Sequence, residues 1–129
     1  MTTTTITDSV ARLGVSAAQP IQAGSRLTEV LVNNELLRVV MFTLDAGQEL
    51  TEHGTPRAVV VTIIEGALDF TVEGRTSHMV AGDVLYMAPG ARHSVVVTEP
   101  SRMQLVLVEA PGVSEAEDTS PATAAVERG

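Results

Sequence analysis

Glycines recur through the middle of the chain at an interval of eight residues, at Gly66, Gly74, Gly82 and Gly90. Each stands beside a second turn-forming residue, in Glu65-Gly66, Glu73-Gly74, Gly82-Asp83 and Pro89-Gly90. Helices rarely fit between turns so close together. The intervening runs at 58–64, 67–72, 84–87, 94–98 and 103–108 are rich in valine, isoleucine and leucine. Short β-prone runs on such a beat predict an all-β sandwich or barrel. Upstream, 26–32 and 36–44 read as two further strands, and Asp45-Ala46-Gly47 turns the chain into another at 48–53. Nothing from 25 to 108 keeps a helical apolar period. One short helix is expected at 8–13, capped by Asp8 or Ser9.

Several of these runs are apolar on both alternations, as in Val59-Val60-Val61, Ile63-Ile64 and Val95-Val96-Val97. One strand face can line a core, so the other must also be covered, by more of the same chain or by a second subunit. A homodimer is therefore expected. The 129 residues suit one domain: an N-terminal arm over 1–24, partly disordered, a barrel over 25–110 and a disordered acidic tail over 111–129. The net charge of −8 argues against nucleic acid as a partner, since phosphates need a basic face. The start of the chain lacks the basic and apolar stretches of a signal peptide. The longest near-apolar run, 58–64, is too short to span a bilayer. These features imply a cytoplasmic protein with no membrane partner.

Composition narrows the chemistry. Cysteine and lysine are absent and all eight basic residues are arginine, which removes thiolate nucleophiles, thiolate metal sites and Schiff bases. A reaction run by this chain must use histidine, carboxylate, hydroxyl, arginine, a metal or a bound cofactor.

Two stretches carry the candidates. One runs from Gly47 through His53, Thr55 and Arg57 to Gly66; the other runs from Gly82 through Ala88, Gly90 and His93 to Val97. Together they resemble the two signature motifs of the cupin family, small RmlC-like jelly-roll barrels, and the resemblance covers about residues 36–108. It implies a double-stranded β-helix, a jelly-roll barrel with a site inside. In metal-binding cupins the first motif supplies two histidines and a glutamate, and the second supplies a third histidine. Here Gly47, His53, Gly66, Gly82, Gly90 and His93 match. Thr55 stands at the second histidine position, Val59 at the glutamate, Ala88 at a proline and Val97 at an asparagine.

The implied four-ligand site is thus reduced to His53 and His93. Two neutral imidazoles offer a divalent ion little charge compensation, and Val59 turns part of the shell into apolar wall. Glu52 adjoins His53, but strand alternation points it to the opposite face. The expectation is a weak or vestigial site for one transition metal (Zn, Fe, Mn, Ni or Cu), or none. With His93 and position 59 taken as inward, alternation lines an apolar pocket with Val59, Val61, Ile63, Val95 and Val97, joined by Phe70 and Met103. Thr55 and Arg57 are candidates at its mouth, Arg57 as a grip for an acidic group and otherwise as a solvated loop arginine. His78 is expected on the surface or the rim, Arg92 on the surface, and Tyr86 in the core rather than as a catalytic acid. Met41, Met79, Met87 and Met103 read as core fillers.

Three functions remain open: a cupin binding a small molecule beside a vestigial metal site; an enzyme such as a dioxygenase, isomerase or lyase, using a metal or the two histidines as acid and base; and a sensing module acting through a partner protein.

Overall fold

The computed structural model describes residues 3–110; the tail expected from 111 lies outside the described residues. Seven strands form the fold: β1 (Arg26–Asn33), β2 (Leu37–Leu44), β3 (Glu49–His53), β4 (Ala58–Val72), β5 (Arg75–Val80), β6 (Val84–Met87) and β7 (His93–Val108). All pairs are antiparallel.

The frame is a long ribbon of β4 and β7, paired from Ala58–Val108 to Val72–His93. It folds over at its middle into two layers. In the first, β1, β2, the C-terminal half of β7, the N-terminal half of β4 and β6 lie side by side; in the second, β3, the N-terminal half of β7, the C-terminal half of β4 and β5 do so. This is the expected jelly roll, with one correction. The 58–64 and 67–72 runs are a single strand, as are 94–98 and 103–108. Gly66 makes no hairpin. It bends β4 while pairing with β7 continues through register shifts between Ile63 and Leu68.

The bend explains the glycine. Gly66 has φ of 91°, and a Cβ there would lie 2.1 Å from the Pro100 carbonyl oxygen and 2.7 Å from Ser101 Cα. A side chain cannot occupy that space. The disturbed backbone is satisfied by hydroxyls, since Thr98 Oγ1 and Ser101 Oγ both donate to the Ala67 carbonyl, at 3.0 and 3.2 Å. Pro100 falls where the ladder is already broken, the position in a strand that tolerates a missing N–H.

Strand β5 lay outside the expected runs. Its sequence, Arg75-Thr-Ser-His-Met-Val80, is mostly polar, and only Ser77 and Met79 turn inward and are buried. The helix at 8–13 is also corrected: among the described residues the one helical turn spans Val15–Ala18. A six-residue segment cannot sustain a helix alone, and Arg12 instead donates to the Leu31 carbonyl and pairs with Glu29 on β1.

That arm covers part of the first layer's outer face. Arg102 is buried there, donating to Glu65 at 2.9 Å and to the Gln19 carbonyl at 2.7 Å. Met41 and Thr43, on the same face, are 5% and 0% exposed. Farther along, Ile64, Val84 and Tyr86 remain exposed. Tyr86 is thus a surface residue and not core, because its register partner Val60 places it on the outer face. Among the described residues no helix is long and apolar enough to cross a membrane.

Candidate functional site

The ribbon's bend closes one end of the sandwich. At the other end two loops cross between the layers: 54–57 joins His53 to the start of β4, and 88–92 joins the end of β6 to His93. The loops are tied together by Gly90 N–H donating to the Thr55 carbonyl at 2.7 Å. Gly54 permits this approach, since a Cβ there would lie 3.2 Å from the Gly90 carbonyl oxygen.

This end brings His53 and His93 together. They are register partners across β3 and β7, with ring centroids 4.3 Å apart and planes tilted by 57°. Phe70 lies beneath, stacked on His93 at 5.8 Å and 18°. His53 is exposed, whereas His93 retains 6% of its accessible surface. Each ring is fixed through Nδ1, His53 to the Thr51 carbonyl at 3.0 Å and His93 to the Ala91 carbonyl at 3.4 Å. A carbonyl only accepts, so each bond requires the proton on Nδ1, and Nε2 is an acceptor whenever the ring is neutral. Burial pushes the His93 imidazole below the ordinary histidine range; the Ala91 hydrogen bond opposes this and the neighbouring His53 reinforces it.

The donor set does not fit a resident catalytic metal. Among the described residues no group of three histidines or carboxylates is placed to hold an ion. Val59, at the position of the expected glutamate, is a core residue 1% exposed. Thr55 accepts a hydrogen bond from Arg57 N–H through Oγ1. Glu52 faces outward as expected and pairs with Arg92 at 3.4 Å.

The other candidates are dispersed. Arg57 is half-buried and engaged by Glu109 at 2.7 Å. His78 is exposed and bonded to Asp69 at 2.8 Å. Val59, Val61, Phe70 and Val95 do face inward, but each is at most 1% exposed and belongs to the main apolar cluster. Side chains so covered border no water-sized space, so the apolar pocket expected along the barrel is packed core. Met79, Met87 and Met103 help to fill it.

Sequence reasoning passed over Arg38. It follows Leu37 in an apolar strand, on the same alternation as Val40, Phe42 and Leu44, and that interruption was its one signal. Across the first layer its register partners are Asn33 and Leu107; Leu107 in turn opposes Val59, and Val59 opposes Met87. That row is the layer's inner face at the open end.

A sequence profile of the cupin domain matches residues 40–109. No functionally curated protein matches the chain. Among solved structures, a conserved protein of unknown function from Streptococcus pyogenes shares 28% identity at a TM-score of 0.72, over 81% of this chain and 92% of that one. An RmlC-like cupin from Desulfovibrio desulfuricans superposes at 0.69 with 20% identity, over 78% and 97% of the two chains. KdgF from a Halomonas species does so at 0.64 with 17% identity, over 79% and 97%. The last two likenesses speak to the fold alone. With the profile spanning more than half of the chain and the jelly roll carrying both motif histidines at its open end, the protein belongs to the cupin family.

Proposed function

We propose that this cupin binds a small molecule at the open end of its barrel, against the Nε2 edges of His53 and His93. Any divalent transition metal there is held by two imidazoles and water and exchanges readily. The observation that carries this reading is the fixed pair of rings, in contact at 4.3 Å with both Nδ1 atoms tied to backbone and, among the described residues, no third histidine or carboxylate placed to hold an ion with them. A site so arranged presents two acceptors above the aromatic floor of Phe70, which suits a ligand with a hydroxyl or amide donor. Native mass spectrometry of the protein incubated with a cell's small-molecule extract tests this. A retained small mass that is lost in His93→Phe supports it; the same retention in wild type and variant contradicts it.

A second reading has an observation in its favour. His93 is held neutral by burial beside a second, exposed imidazole, an arrangement suited to proton transfer on a bound carbonyl compound without a metal. Under this reading His93 is the base. Turnover should show a bell-shaped pH profile and vanish in His93→Gln. Activity that persists in that variant removes the reading.

The same proposal includes a homodimer in the cytoplasm. It is supported by the apolar outer face of the first layer, where Val84 and Tyr86 are 63% and 60% exposed. Analytical ultracentrifugation should find a dimer that Val84→Glu disrupts; a wild-type monomer contradicts it.

A further inference from the structure

We propose that Arg38 is the anion anchor of this site, so that its ligand is a small hydroxy acid with its carboxylate on Arg38 and its hydroxyl donating to Nε2 of His53 or His93. The inference rests on the open-end binding reading and adds the ligand's chemical class.

The placement follows from the register. Arg38 shares the inward row of Leu107, Val59 and Met87, and the last two are 1% and 2% exposed in the core. That row ends where the 54–57 and 88–92 loops leave toward His53 and His93. Strand β2 flanks β7 in the first layer as β3 flanks it in the second, each on the side away from β4. When the ribbon folds over, β2 therefore comes to face β3, with Arg38 and His53 both at the open end.

Its electrostatic state sets Arg38 apart. Arg12, Arg57, Arg92 and Arg102 each pair with a glutamate, and Arg26 donates to the Glu49 carbonyl. Arg38 is half-buried, and its hydrogen bond runs from Nε to the neutral amide oxygen of Asn33 at 3.4 Å. No carboxylate lies within ion-pair distance of it among the described residues, although the chain carries sixteen acids. An inward guanidinium with unpaired Nη atoms matches a carboxylate by its fork geometry, and partial burial strengthens that bond. The imidazoles, when neutral, present acceptors at Nε2 and so call for a hydroxyl donor rather than a second anion. Beside Arg38 on this row Leu107 is apolar and only partly buried, so it is the side chain that the carbon chain of a ligand would meet.

The test uses 3-hydroxybutanoate, its methyl ester and butanoate as probes. Binding is read from the ring resonances of His53 and His93 in wild type, Arg38→Gln and Arg38→Lys. Wild type should bind 3-hydroxybutanoate about tenfold or more tighter than the ester, the range expected for a charge-assisted hydrogen bond. Butanoate should bind more weakly than the hydroxy acid. In Arg38→Gln the preference for acid over ester should collapse to near unity. Arg38→Lys keeps the charge without the fork; it should fall between the two, and it carries the test if the glutamine variant does not fold. If the acid preference survives in both variants while the ring signals still shift, the anchor is not Arg38 and the open-end site stands. If neither acid nor ester moves the rings at millimolar concentration, the binding reading falls and the anchor falls with it.

Discussion

The two ends of the barrel contrast in what they can tolerate. At the closed end the β4–β7 ribbon folds over at Gly66, where the next carbonyl oxygen leaves no room for a methyl group, and the buried Arg102 binds Glu65 and the N-terminal arm. At the open end two glycine-bearing loops touch through one backbone hydrogen bond, and polar side chains face inward. One end is fixed by close backbone approach, and the other leaves its side chains free to meet a ligand. Stability is thus concentrated where no chemistry is available, a division common where a rigid scaffold positions functional loops.

Substitutions can break that contrast, and the closed end should show the largest effects. Gly66→Ala combines a left-handed backbone with a backbone overlap and should cost about 4 kcal/mol, measured by urea unfolding. A loss under about 1 kcal/mol would mean that the bend relaxes easily. Arg102→Ala removes charge-assisted bonds to Glu65 and to the arm and should cost about 2 kcal/mol. It should also raise amide exchange around Gln19; unchanged exchange there would detach the arm from this latch.

At the open end the expected effects are smaller and depend on pH. The folded pKa of His93 lies below its unfolded value of 6.5, so the unfolded chain binds the extra proton first as pH falls. The contribution of His93 to stability is therefore complete above about pH 6.5 and is lost as pH drops through the lower folded pKa. Wild type should lose more stability on acidification through this window than His93→Gln does. Parallel pH profiles for the two would show that His93 is not desolvated. The smallest effect is expected for exposed His53: His53→Ala should change stability by no more than about 0.5 kcal/mol while abolishing ligand binding.

The same contrast accounts for what could be read from the sequence. Glycine spacing and β-branched runs announced the layers, because each is a local property of the chain. They did not show that Gly66 bends a strand rather than ending it, since that depends on Pro100 and Ser101 across the ribbon. Strand β5 escaped notice because only Ser77 and Met79 in it are buried. Tyr86 was misplaced because its facing is set by pairing with Val60. His53 and His93 were legible through the motifs around them, and the missing carboxylate through Val59. The filled barrel and Arg38 were not, since both follow from which strands become neighbours, as when β2 takes its register from β7.

We propose that the open end works with two imidazoles and no resident metal. Elemental analysis of untagged protein after exhaustive dialysis tests it most directly, with His53→Ala alongside. The claim predicts metal far below one equivalent in both proteins. Near-stoichiometric metal in the wild type that disappears in His53→Ala would contradict it.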